Sequence, residues 1–119
     1  MEIKIEMINE VPVAKLISEE VEIKNSQDAL EIMMNGYYQG ADYLLIDKKN
    51  LIPAFFELKS GIAGEILQKF STYNTKLIIL GDFHNLTSKS LRDFIRESNK
   101  ADRINFISSL SKVKEILSK

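Results

Sequence analysis

Cysteine and tryptophan are absent from the 119 residues, histidine occurs once and proline twice. Without cysteine there is no disulfide framework, no thiolate nucleophile and no cysteine-based zinc site, and a reducing compartment is permitted. The single histidine, His84, excludes a histidine-rich metal centre and leaves any serine-histidine-acid triad only one candidate base. No serine stands in a G-x-S-x-G elbow. The nearest approach to a phosphate-binding loop is GIAGE, whose two glycines match neither a phosphate-binding loop nor a dinucleotide fingerprint. No apolar run nears the roughly 20 residues of a membrane span, and the opening MEIKIEMINE lacks the basic and apolar regions of an export signal. These absences lead us to expect a cytoplasmic protein with no metal, no cofactor and no membrane association.

The composition is that of a packed globular chain, with 45% hydrophobic and 28% charged residues. Its length fits a single domain over residues 1–119. Net charge is −1 but unevenly spread: residues 1–34 hold eight acids against three bases, and residues 86–119 hold eight bases against four acids. Asp93, Glu97 and Asp102 interrupt the basic end and few aromatics accompany it, so nucleic acid is not expected as a partner.

Glu2 to Ile8 alternates, with Ile3, Ile5 and Met7 on one face, as in a half-buried strand. Asn9-Glu10 separates it from VPVAKLI, which predicts a hairpin with Asn9 in the turn, and Pro12 marks a side of the second strand that is not fully paired. Asn25 to Asp28 supplies a helix start, followed by Leu30, Met33, Met34 and Tyr37 as the buried stripe and Gly40 as the stop. Tyr43 to Ile46 reads as a central strand ended by Asp47. A second helix carries Ile62, Ala63, Ile66, Leu67 and Phe70 inward; Gly64, in its first turns, predicts close packing against a neighbour. KLIILG is the next strand, Thr87 or Ser88 caps a third helix with Leu91, Phe94 and Ile95 inward, and Ile104 to Ile107 is the last strand. A closing helix turns Leu110, Val113 and Leu117 inward and carries Lys112, Lys114 and Lys119 toward its end. The order β-β-α-β-α-β-α-β-α predicts an α/β fold with a five-stranded mixed sheet and right-handed crossovers.

Leu44 to Phe70 is the stretch most suited to a site. A strand ending in Asp47 leads through Pro53 and Phe55-Phe56 to a helix start at Lys59-Ser60-Gly61, aiming amides and a hydroxyl at a strand-end edge. Gly81 to Asn85, containing Asp82, Phe83 and His84, leaves the next strand at the same edge. The Ser60 hydroxyl is placed to cap its helix. It is also placed for phosphorylation, since a phosphate there would meet free amides, the helix dipole and Lys59. A receiver-type phosphoaspartate site is excluded, because no acidic cluster follows the first strand and no lysine follows the last.

In FFELKSGIAGEILQKF, LGDF and SKSLRDFIRESN, and over nearly its whole length, the sequence resembles a bacterial family known as domain of unknown function 4180. More distantly, LLID followed by KSGIAG resembles the STAS domain of sulfate transporters and anti-sigma factor antagonists. That likeness implies a STAS-like fold and a switch in which the surface around the helix start binds an anti-sigma factor or similar kinase-like partner. By position Ser60 is the implied phosphoacceptor, Gly61 its follower, and Asp47 the strand end. The acid and hydroxyl residue that usually precede the acceptor are here Leu58 and Lys59, with Glu57 one step further back.

The leading expectation is therefore a non-enzymatic regulatory module of the bacterial cytoplasm. Its candidate partner-binding or ligand-binding residues are Asp47, Glu57, Lys59, Gly61, Asp82, Phe83 and His84, with Ser60 as candidate phosphoacceptor. The alternative is a small-ligand site or small enzyme using Asp47, Ser60, Asp82 and His84. A homodimer that uses Phe55, Phe56 or Phe83 as interface is a third.

Overall fold

The computed structural model describes residues 1–117. Glu2–Ile8 (β1) and Val11–Ile17 (β2) pair antiparallel, with Ile8 opposite Val11. Asn9 and Glu10 between them have φ of 50° and 68°, the pattern of a type I′ turn, whose twist suits the flanking strands. Asparagine tolerates that conformation readily, whereas glutamate bears a cost of about 1 kcal/mol. Pairing of β2 with the next strand begins only at Val13, so the N–H that Pro12 lacks has no strand partner to meet.

The chain continues as Ser26–Tyr38 (α1), Tyr43–Asp47 (β3), Ile62–Thr72 (α2), Lys76–Leu80 (β4), Lys89–Ala101 (α3), Ile104–Ile107 (β5) and Leu110–Leu117 (α4). The sheet runs β1-β2-β3-β4-β5, antiparallel at its first pair and parallel thereafter. This is the expected five-stranded mixed α/β sheet. Every crossover steps one strand in the same direction, so right-handed connections stack α1, α2 and α3 on one face. The core agrees. Ala29, Ile32 and Met33 of α1 and Ala63, Ile66 and Phe70 of α2 meet Ala14, Leu44, Ile46, Leu77 and Ile79 on that face. On the opposite face Ile8, Val13, Leu45, Ile78 and Ile107 pack against Val113 and Leu117 of α4.

Several inward faces differ from the sequence reading. The α1 stripe is Ala29, Ile32, Met33 and Gly36; Leu30 and Met34 are half-buried and Tyr37 is exposed. The register is set by Gly36, where an added Cβ would come within 2.5 Å of the Ala14 Cβ, so helix and β2 touch at their two smallest residues. Gly64, by contrast, has nothing within 4 Å of such a Cβ, and the close packing expected there is absent. Met7 and Leu110 are exposed rather than inward. Lys119 lies outside the described residues.

Candidate functional site

Three short 3-10 turns, Lys48–Asn50, Pro53–Phe56 and Leu58–Ser60, carry the chain from β3 to α2. The first is organised by two side chains. The Asp47 carboxylate accepts from the Lys49 N–H at 3.0 Å, and the Asn50 Oδ1 accepts from the Asp47 N–H at 3.0 Å. Asn50 is fully buried, and its Nδ2 donates to the carbonyls of Ser18 and Glu20 at 3.0 and 2.9 Å. Its own carbonyl accepts from the Glu22 and Ile23 N–H groups. One asparagine thus fastens the segment after β2 to the end of β3, satisfying polar groups that burial would otherwise penalise.

Lys48 follows Asp47 and crosses to the exit of β4. Its Nζ donates to the Asp82 carbonyl at 3.0 Å and lies 5.5 and 5.4 Å from the ring centres of Phe56 and Phe83, the geometry of cation–π contact. Gly81 leaves room for it, because a Cβ there would lie 2.7 Å from that of Lys48. Beneath, Phe83 meets Phe106 edge-on at 5.3 Å, and the fully buried Phe55 stands 4.9 Å from Phe56. The paired phenylalanines therefore close the sheet edge under the loop.

Above these rings lies an open depression of about 550 Å³. Leu51, Pro53, Phe56 and Leu86 supply its apolar surface, and Asp47, Lys48, Lys49 and Asp82 its charge. Asp47 also lines a second hollow of about 320 Å³ with Lys15, Leu45 and Leu80, so it stands between the two.

Of the residues singled out in the sequence, Asp47 and Asp82 share the larger depression. Phe83 is half-buried below it. His84 is exposed and lines none of the described hollows; it is turned to Asp82, whose carboxylate accepts from the His84 backbone N–H at 3.1 Å and pairs with its ring Nδ1. Those bonds, the backbone one first, hold the Asp82 carboxyl below its ordinary value. Glu57, Lys59, Ser60 and Gly61 follow the Pro53–Phe56 turn, are exposed and line neither of the two hollows. Gly61, with φ of 78°, is the N-cap of α2, and this left-handed conformation accounts for a glycine there. Ser60 caps from one residue further out. Its Oγ accepts from the Ile62 N–H at 3.2 Å and donates to the Ala54 carbonyl at 2.7 Å.

Asp47, Ser60, Asp82 and His84 are thus not gathered around one cavity. The topology gives a reason. Ligand crevices of open α/β sheets form where the strand order reverses, and here it never does. Among the described residues no cluster of three or more histidine, cysteine or acidic side chains could hold a metal, and no helix is long and apolar enough to cross a membrane.

Lys48 and Asn50 were not singled out in the sequence. Each sits within three residues of Asp47, yet a lysine and an asparagine after a strand are indistinguishable in sequence from ordinary turn residues.

Residues 8–117 match the family described as domain of unknown function DUF4180. No curated protein and no solved structure matches the chain.

Proposed function

From the premise that the chain belongs to the DUF4180 family, whose description carries no activity, we propose that the protein is a STAS-like, non-enzymatic regulatory module of the bacterial cytoplasm that binds a protein partner. The observation that carries this reading is the open depression at the ends of β3 and β4, with an apolar surface of Leu51, Pro53, Phe56 and Leu86 and charges around it. An open apolar patch with a polar rim suits a side chain or helix of another protein better than an enclosed small molecule. By analogy with STAS domains the partner is an anti-sigma factor or a kinase-like protein.

Phosphorylation of Ser60 supplies the switch. The modified oxygen loses the proton now donated to Ala54 and gains about two negative charges beside Lys59. Ala54 belongs to the turn whose Pro53 and Phe56 line the depression, so loosening that turn alters the docking surface directly.

The test uses the whole chain as bait in lysate of its source cells. Capture of a defined protein should be lost in a Phe56→Lys variant and weakened at least roughly tenfold by Ser60→Asp, the loss of about 1.4 kcal/mol, with phosphate found at Ser60 after incubation with ATP and lysate. Capture unaffected by Phe56→Lys overturns the docking surface. An unmodified Ser60 together with unchanged capture by Ser60→Asp overturns the switch.

A further inference from the structure

The two edges of the sheet are not alike. At β5 the outward backbone groups of Phe106 are already occupied: its N–H donates to the Asn99 Oδ1 at 2.7 Å, and its carbonyl accepts from the Asn99 Nδ2 at 3.4 Å. An amide side chain from α3 stands there where another strand would otherwise pair. β1 has no such cover. The two-residue turn makes Ile8 and Val11 a hydrogen-bonded pair, and by alternation Ile3, Ile5 and Met7 turn their N–H and C=O groups away from β2. Among the described residues no side chain or other element bonds to them.

We propose that β1 pairs antiparallel with β1 of a second copy, about a two-fold axis at Ile5, to give a continuous ten-stranded sheet. The charge pattern selects both the occupant and the register. With Ile5 opposite Ile5, the strand Glu2–Ile8 overlaps its copy completely. Lys4 of each chain then stands opposite Glu6 of the other, and Ile3 opposite Met7. A slip of two residues one way sets Lys4 against Lys4 and Glu2 against Glu6; the other way sets Glu6 against Glu6. Like charges directly opposite are unfavourable, and a slip of one would turn each face over.

Two features of the single chain acquire a reason. Met7 is 61% exposed and would lie beside Ile3 of the other copy. Lys4 makes no ion pair within the described residues and stands opposite Lys15 on β2, whose Nζ lies 3.8 Å from the Glu6 carboxylate; Glu6 of the second copy, held by its own Lys15, would take Lys4 as a second cation. Because the pairing is two-fold and Asn99 holds the outward groups of Phe106 on the opposite edge, assembly stops at two. No residue of β1 lines the depression near Asp47, so both copies keep it open and this inference stands apart from the proposed function.

Sedimentation of the intact chain over a range of concentrations should show a monomer–dimer equilibrium, with Lys4→Glu raising the dissociation constant roughly tenfold. The same change puts an acid opposite Lys15, so it should leave the unfolding midpoint of dilute, monomeric protein unchanged or higher. The lack of native cysteine permits a register test. Hydrogen-bonded antiparallel partners have Cα atoms about 5.5 Å apart, within disulfide reach. Mild oxidation should therefore cross-link Ile5→Cys, and should cross-link Met7→Cys only when mixed with Ile3→Cys. A monomer at every concentration, a dimer indifferent to Lys4→Glu, or cross-linking of Lys4→Cys in preference to Ile5→Cys overturns the proposal.

Discussion

Two glycines of opposite meaning show how much rests on single residues. Gly36 lets α1 touch β2 at Ala14, while Gly64 faces open space. Gly64→Ala should therefore raise stability by up to about 1 kcal/mol, the helix-propensity difference. Gly36→Ala gains the same propensity but must displace Ala14, giving a net loss of about 1–2 kcal/mol. Urea unfolding of the pair checks both signs, and a gain at both positions would contradict the close approach. In sequence the two look alike, each being a glycine inside a helical pattern. What separates them is a contact with a residue more than twenty positions away, which no local pattern encodes. The same limit hid Asn50, whose partners Ser18 and Glu20 lie on another loop.

At the scale of elements, strands and helices were legible because their periods are strong, and β1, β5 and the five-stranded mixed sheet stand as the alternation and the short connections predict. Helix faces were less so. The α1 reading followed the large apolar side chains Leu30, Met34 and Tyr37, whereas the buried positions include Ala29 and Gly36, which a hydrophobicity pattern discounts. The crossing from Asp47 to Ser60 resisted most, because 3-10 turns are too short to show a period. Its candidate site was legible in part: Asp47 and Asp82 line one depression as the strand ends suggested, but Ser60 is bonded to the Ala54 carbonyl and does not line it. The edge of β5 makes the element-scale prediction. Asn99→Ala removes both bonds to Phe106 and should cost about 1–2 kcal/mol, with light scattering showing concentration-dependent association through the freed edge. Asn99→Ala that stays as soluble and as stable as the native chain would show that the amide is not guarding it.

The whole molecule is asymmetric about its sheet, with α1, α2 and α3 on one face and α4 as the one described helix on the other. Val113 is fully buried at the centre of that second interface. Val113→Asp would place an unpaired carboxylate there, and a loss on the order of 4 kcal/mol is expected. The measurable result is a collapsed or absent unfolding transition with binding of a hydrophobic dye. A folded, dye-free variant would mean that the second face does not depend on α4.

The same asymmetry bears on synthesis in the cell. Translation adds about 5–20 residues per second, and α4 follows every strand it covers. Until α4 has been made, Val13, Leu45 and Ile78 lack the one described helix that covers them. The nascent chain thus has a period of stickiness fixed by its order of elements, during which a holding chaperone would act on that one uncovered face.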